Sequence, residues 1–263
     1  MCKTVAKIDL EVCVDSPAGL LAAVRGGAGR IELCSALALS GLTPSLGLMR
    51  LAATTGVRAY AMIRPRPGSY IYSDSDLDVM RGDLDAARAA GLPGAVIGAS
   101  RASGALDMDR LGALREHARA LGLRLTLHRA FDLVPDFSAA LEQAIDLGFE
   151  RVLTSGGART APEGADQIAA LVDQAAGRIS VMPGSGLTPD TLAAVMRRTG
   201  AGEAHGSCGR PVADRMLEAV PRAKAEAMGF ISPLDRDTDA ATVARMVAIL
   251  AGIAEDRGAA GGC

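Results

Sequence analysis

The sequence repeats one junction seven times: a helix-like segment ends at a glycine, and a strand-like apolar run follows within a few residues. Glycine is favoured directly after the last turn of a helix, because it adopts the left-handed backbone conformation at little steric cost. A further strand, Ile8–Cys13, precedes the first helix. The pattern therefore predicts eight strands that alternate with helices. The seven glycines are Gly27, Gly56, Gly91, Gly122, Gly148, Gly177 and Gly200.

Eight strand–helix units, with no glycine-rich dinucleotide fingerprint after the first strand, favour an α/β fold of the (β/α)8 TIM-barrel type. A doubly wound parallel sheet is the alternative, but strands covered on both faces are continuously apolar. Here several strands alternate, as in Leu123–His128, where leucine alternates with arginine, threonine and histidine. We expect one barrel domain over residues 1–263, with a disordered C-terminal tail at 257–263.

Composition and charge exclude several classes of protein. The 28 basic and 30 acidic residues give a net charge of −2, which does not favour binding to nucleic acid or to an anionic membrane. No apolar run approaches the ~20 residues of a membrane-spanning helix, and the N-terminus has no signal-peptide pattern. Five scattered cysteines do not indicate a disulfide framework. We therefore expect a cytoplasmic protein.

Polar residues late in the strands define the candidate active site, because TIM barrels build their sites at the carboxyl ends of the strands. Charged residues early in the strands instead suggest a buried layer of structural ion pairs. The late residues are Glu11, Cys13, Glu32, Cys34, Arg64, His128 and His205; the early ones are Lys7, Asp9, Arg30, Arg58 and Arg124.

The loops that follow the strands add further candidates. Arg66 and Tyr70 lie in the long loop after the third strand, which forms a lid, an aromatic wall or an ordinary surface loop. Asp132 follows His128 closely. Glycine-rich turns after the sixth and seventh strands suggest an anion-binding cradle, although tight turns also need glycine. The residues of these turns are Ser155, Gly156, Gly157, Gly184 and Gly186.

The motifs at these strand ends resemble the CutC copper-homeostasis family. They are EVCVDS (11–16), RIELCSAL (30–37), GLTPS (41–45), MIRPR (62–66), HRAFD (128–132), LTSGG (153–157) and MPGSG (182–186). The resemblance implies a cytoplasmic (β/α)8 barrel that is often dimeric, and Cu(I) bound by Cys13 and Cys34. One departure is Ala38–Gly41, which lacks the glutamate usual in that loop; Cys208 matches no family feature.

Three functions remain open at this point. The first is copper handling, in which Cys13 and Cys34 supply thiolates that suit Cu(I). The second is an acid–base enzyme of the isomerase, lyase or hydrolase type, acting on a small sugar-like or phosphorylated metabolite. The third, a structural role, would leave the charged lumen without a use. In the enzyme hypothesis, the catalytic residues are Glu11, Glu32, Arg64, His128, Asp132 and His205, while Arg66 and the glycine-rich turns bind substrate; the Glu and His groups could also hold a divalent metal.

Overall fold

The computed structural model describes residues 7–212, 220–228 and 235–260. Eight parallel strands form a barrel in which each strand pairs with its neighbour along the chain. The first strand pairs with both the second and the eighth, and the seventh lies beside the eighth. The (β/α)8 prediction is therefore confirmed. The strands are β1 (Asp9–Val14), β2 (Arg30–Leu33), β3 (Arg58–Met62), β4 (Gly94–Ile97), β5 (Arg124–Leu127), β6 (Arg151–Thr154), β7 (Ser180–Pro183) and β8 (Glu203–Gly206).

Helices follow the strands and cover the outside of the barrel. They are α1 (Pro17–Arg25), α2 (Leu46–Thr54), α3 (Asp74–Ala89), α4 (Met108–Ala120), α5 (Phe137–Asp146), α6 (Ala165–Ala175), α7 (Leu192–Thr199), α8 (Arg222–Met228) and α9 (Ala240–Ala260). Two 3₁₀ turns, Leu37–Leu39 and Arg129–Leu133, follow β2 and β5. Two further strands, β9 (Gly209–Val212) and β10 (Asp235–Thr238), pair as an antiparallel ribbon. No helix in the described ranges is long and apolar enough to cross a membrane.

The alternation predicted for the strands is present. In β1, Leu10 and Val12 are buried in the apolar layer under the helices. Glu11 and Cys13 point to the opposite side, into the lumen, because successive side chains leave a strand on opposite faces. The same holds in β5, where Leu125 and Leu127 join the apolar layer and Thr126 receives a hydrogen bond from Arg151. Polar side chains of several strands therefore share one enclosed space.

The prediction that the charged residues early in the strands form a buried layer of ion pairs is wrong for most of these residues. Lys7 and Arg58 both pair with Asp9 at the amino-terminal end of the barrel, where the Arg58 side chain is 49% exposed. Arg124 is 61% exposed. Only Arg30 is buried as expected. The other four residues lie at the open lower rim of the barrel, where water reaches them.

The buried layer lies one level higher and is centred on Arg30. Its guanidinium pairs with Glu11 and, at 2.8 Å, with Glu203. Arg151 also pairs with Glu203, at 3.1 Å. The stagger of the strands is the physical reason: Arg30 is the register partner of Glu11, so an early residue of β2 meets a middle residue of β1. Sequence position within a strand therefore does not give depth in the barrel.

The C-terminal helix extends further than the sequence suggests. Helix α9 continues to Ala260, so residues 257–260 are helical and do not belong to a disordered tail. Arg257 donates hydrogen bonds to the carbonyls of Met196 and Ala201, which ties this last turn to the barrel. Residues 261–263 lie outside the described residues.

Candidate active site

A cavity of about 510 Å³ opens at the carboxyl ends of the strands. Several residues that the sequence nominated line it, whereas others lie behind its wall. The lining residues among the candidates are Cys13, Glu32, Arg64, His128, Asp132, Gly186 and His205. The cavity is therefore the part of the structure in which these candidate side chains are accessible to solvent and to a small ligand.

Three titratable side chains of β1, β2 and β8 form a row at the base of this cavity, and one hydrogen bond, between His205 and Glu11, joins two of them. His205 Nδ1 lies 2.8 Å from Glu11 Oε1, and His205 Nε2 lies 3.7 Å from Glu32 Oε2. Glu11 is fully buried and also pairs with Arg30, so it does not reach the cavity. Its position is that of a residue that orients His205, not of one that touches substrate.

The environment separates the pKa values of the two carboxylates. Burial raises the pKa of Glu11, but Arg30 and His205 outweigh this effect and lower it to about 2. Burial raises the pKa of Glu32 to about 7. Burial lowers the pKa of His205, yet Cys13, Glu32 and the hydrogen bond with Glu11 together bring it well above its ordinary value. At neutral pH the row therefore holds an ionised Glu11, a protonated His205 and a Glu32 poised between its two forms.

We expect stability to fall as pH rises through the range in which Glu32 ionises. Between about pH 4.5 and pH 7 the folded protein keeps a proton on Glu32 that the unfolded chain has released, so the free energy of unfolding decreases by at most ~1.4 kcal/mol per pH unit. Glu32→Gln should remove this contribution, and Glu163→Gln, at an exposed residue outside the barrel lumen, should not. Urea unfolding of metal-free protein at several pH values measures it. Equal slopes for the wild type and Glu32→Gln would contradict the prediction.

His128 lines the cavity, but its protonation state does not suit the predicted acid–base role. Its Nδ1 accepts a hydrogen bond from the backbone N–H of Ala130 at 3.0 Å, so the ring proton lies on Nε2. Burial and the nearby Arg64 lower the pKa of His128 to about 3. The imidazole is therefore neutral at physiological pH and has its accepting nitrogen occupied. It can donate a hydrogen bond from Nε2, but it is not a free base.

Arg64 is buried and lines the cavity. Its guanidinium donates to the carbonyls of Leu39, Gly41 and Gly68 at 2.7–3.0 Å. Within the described residues it forms no ion pair, and its Nε has no hydrogen-bond partner. Tyr70 covers it, with the guanidinium carbon 5.1 Å from the ring centroid. The loop after β3 thus supplies an aromatic wall, one of the three possibilities that the sequence left open.

Asp132 organises a loop and is not free to act as a base. It accepts hydrogen bonds from the hydroxyl of Thr154 and from the backbone N–H groups of Ser155 and Gly157. It also pairs with Arg129 at 2.7 Å. These donors already satisfy its oxygens, so the carboxylate fixes the turn after β6 and stands only at the edge of the cavity.

In the glycine turns that were predicted to bind an anion, backbone N–H groups already donate hydrogen bonds within the protein. The N–H of Gly156 bonds to Thr154 Oγ1, and that of Gly184 bonds to the Thr154 carbonyl. Ser155 is fully buried behind the wall, where its hydroxyl donates to the Ala158 carbonyl. Of the five turn residues predicted to bind substrate, only Gly186, with φ of +72°, lines the cavity. The other glycines serve the tight turns themselves.

Arg66 lies outside the cavity. It pairs with Asp76 at the start of α3 at 3.1 Å and donates to the Ile71 carbonyl. It therefore braces the loop that carries Tyr70 and does not contact a ligand in the cavity. The sequence could not separate Arg66 from Arg64, because both follow the same strand within one proline-containing run.

The two family cysteines occupy different environments. Cys13 lines the cavity, and its sulfur forms a group with one oxygen of Glu32 and one nitrogen of His205, all within 4.8 Å of one another. Cys34 is fully buried, 3.7 Å from Glu32 Oε2, and lies outside this group. Burial and then Glu32 raise the pKa of the Cys34 thiol well above its ordinary value. Cys208 is buried away from the cavity, 3.5 Å from the sulfur of Met246.

Comparison with known proteins identifies the family. Residues 8–210 match the CutC family. A CutC family protein of Caulobacter vibrioides is 57% identical over 244 residues, covering 93% of this chain and 97% of its own length. One from Rhizobium meliloti is 57% identical over 248 residues, with coverages of 93% and 97%. The crystal structure of CutC from Streptococcus agalactiae, described as a copper homeostasis protein, is 32% identical with a TM-score of 0.72 and covers 76% of this chain and 98% of its own. The chain belongs to the CutC family.

Proposed function

We propose that this protein is an enzyme that transfers protons on a small polar metabolite held in the mouth of the barrel. The observation that carries the proposal is the row Glu11–His205–Glu32, in which two carboxylates have pKa values driven far apart around one histidine. Such a separation is how active sites obtain an acid and a base at one pH. A cavity of about 510 Å³ next to the row has the size of a small-ligand site.

Glu32 serves as the general base in this proposal, because its pKa of about 7 allows it to accept a proton near neutral pH. His205, protonated and 3.7 Å from Glu32, serves as the general acid. Glu11 contacts Nδ1 of the imidazolium and balances its positive charge. Arg30 pairs with Glu11 in turn and balances the negative charge of that carboxylate. His128, which the sequence predicts to share the acid–base work, takes no part in it, because its Nδ1 is occupied and its pKa is lowered to about 3.

Proton transfer can be detected without knowing the substrate. We would incubate the protein in D₂O with a mixture of hydroxy- and keto-carboxylates, polyols and sugar phosphates, and analyse the mixture by mass spectrometry. The wild type should produce a new compound or a deuterated one, and Glu32→Gln should not. Arg159→Gln, at an exposed residue outside the cavity, is the matched control and should act like the wild type. Absence of any change with the wild type would count against the enzyme proposal.

Copper binding is the second candidate function, supported by the convergence of Cys13, Glu32 and His205. A thiolate and an imidazole suit copper, and the thiolate in particular suits Cu(I). The group fits a site with one thiolate rather than the two-cysteine site that the family resemblance implies, because Cys34 stays outside it with a raised thiol pKa. When bound there, copper would be held by the Cys13 thiolate and by His205, which would release a proton on binding, with Glu32 as an oxygen donor.

An anaerobic Cu(I) titration against a chromophoric chelator tests this candidate. We expect Cys13→Ser to lose most of the copper binding and Cys34→Ser to retain it, since the latter thiol is buried and protonated. Loss of binding in each of the two single variants, Cys13→Ser and Cys34→Ser, would instead support the two-cysteine site. Equal binding by both variants and the wild type would reject a copper site at this position.

A homodimer and a cytoplasmic location also remain proposals, supported by the family resemblance. Sedimentation equilibrium of the purified chain tests the dimer, and fractionation of the source cells tests the location.

A further inference from the structure

Two buried hydrogen-bond donors at the cavity have no partner in the described chain. They are Nε of Arg64 and Nε2 of His128. Both side chains line the cavity, and both lie against Tyr70: the guanidinium carbon is 5.1 Å and the imidazole centroid 4.6 Å from the Tyr70 ring centroid. The large majority of buried side-chain polar atoms have a hydrogen-bond partner in folded proteins, so two unpartnered donors beside one ring require an explanation.

The charge of Arg64 is also unbalanced. Its hydrogen bonds all go to neutral carbonyl oxygens. The carboxylates of the cavity are engaged elsewhere, since Asp132 pairs with Arg129 and Glu32 lies beside His205. A buried cation without a counter-charge is costly to keep in a folded protein. A bound anion would supply the missing charge.

His128 is held so that it can only donate from Nε2. Its Nδ1 is occupied by the N–H of Ala130, and its ring packs against Gly98, where an added Cβ would lie 2.2 Å from the imidazole Cε1. Residue 98 must therefore be glycine for the ring to occupy this place. A neutral donor next to Arg64 adds a hydrogen bond without adding a second positive charge.

We propose that Arg64 and His128 form a subsite for a negatively charged oxygen of the substrate, supplied by a carboxylate or a phosphate group, with Tyr70 as its aromatic wall. The inference rests on the proposed function for treating that ligand as a substrate, and it narrows the substrate to a small organic anion. By strand order, the subsite residues follow β3 and β5, and β8, β1 and β2 carry the acid–base row, so the two groups occupy neighbouring arcs of the lumen. The anion would thus be anchored on one arc while another part of the molecule meets Glu32 and His205.

Binding of simple anions tests the subsite directly. The probes are inorganic phosphate and glycolate, titrated separately by calorimetry and by thermal shift, which distinguishes a phosphate from a carboxylate preference. The wild type should bind one of them saturably, and Arg64→Met should weaken it by about tenfold or more, the effect of losing a charged hydrogen bond. If Arg64→Met does not fold, Arg64→Lys takes its place. It keeps the positive charge and should retain part of the binding. Arg159→Met, at an exposed arginine outside the cavity, should bind like the wild type.

His128 has its own readout. In protein labelled with ¹⁵N-histidine, its ring should show the Nε2–H tautomer down to pH 5, and the Nε2 signal should shift when the anion is added. His128→Gln, which keeps an N–H donor, should bind better than His128→Phe. An imidazolium signal at pH 6, or anion binding that is unchanged in Arg64→Met and in His128→Phe, would overturn the subsite.

Glu32→Gln separates this inference from the proposed function. It should bind the anion as well as the wild type while losing proton transfer. If Arg64→Met loses the anion and Glu32→Gln keeps proton transfer, the subsite stands and the acid–base proposal fails. If Glu32→Gln loses proton transfer and Arg64→Met keeps both binding and turnover, the acid–base proposal stands and the subsite fails.

Discussion

Arg30→Met is expected to lower the free energy of unfolding by about 3–5 kcal/mol, the usual cost of removing one member of a buried ion pair. Arg30 is fully buried and pairs with both Glu11 and Glu203. Methionine fills similar space, but it leaves two carboxylates in the lumen with less positive charge around them. The midpoint of urea unfolding measures the change, with thermal unfolding as a second probe.

Two further variants make this prediction specific. Arg124→Met removes an arginine of β5 that is 61% exposed and lies 3.4 Å from Glu150, so its effect should stay below ~1 kcal/mol. Adding Glu11→Gln to Arg30→Met should recover part of the loss, because one uncompensated charge disappears. If Arg30→Met unfolded no more easily than Arg124→Met, the ion-pair layer around Arg30 would not support the barrel.

The sequence predicts the architecture well because each strand–helix unit carries local signals. Glycine after each helix and alternation within β1, β3 and β5 are properties of neighbouring residues, and together they specify eight units and a polar lumen. The same alternation places Glu32, Arg64, His128 and His205 in one cavity. These parts of the prediction depend only on the order of residues along the chain.

The roles of individual residues depend on contacts between strands, which the order does not contain. The stagger that pairs Arg30 with Glu11 moves Glu11 out of the cavity and into the ion-pair layer. The backbone N–H of Ala130 decides which nitrogen of His128 carries the proton. An ion pair with Asp76, ten residues further along the chain, holds Arg66 outside the cavity. Glu203, which anchors Arg30, Arg151 and Ser180, has no local signal apart from its lumen-facing position.

Glu32→Gln is expected to reduce the rate of proton transfer by about 10²–10⁴-fold, the contribution typical of a positioned general base. Glutamine matches the shape of glutamate but cannot accept the proton, and it leaves the His205–Glu11 contact in place. The assay is the deuterium exchange or turnover that the metabolite mixture reveals, measured as kcat and kcat/KM. We expect kcat to fall more than KM changes, since Glu32 would act on the reacting atoms and not on the bound anionic group.

The pH dependence gives the sharper form of this last prediction. The wild-type rate should rise with pH as Glu32 loses its proton near pH 7 and fall at higher pH as His205 loses its own. Glu11→Gln should move the falling limb to lower pH, because the charge that keeps His205 protonated is gone. A falling limb that stays in place in Glu11→Gln, or a Glu32→Gln rate within twofold of wild type, would mean that another pair of groups performs the chemistry.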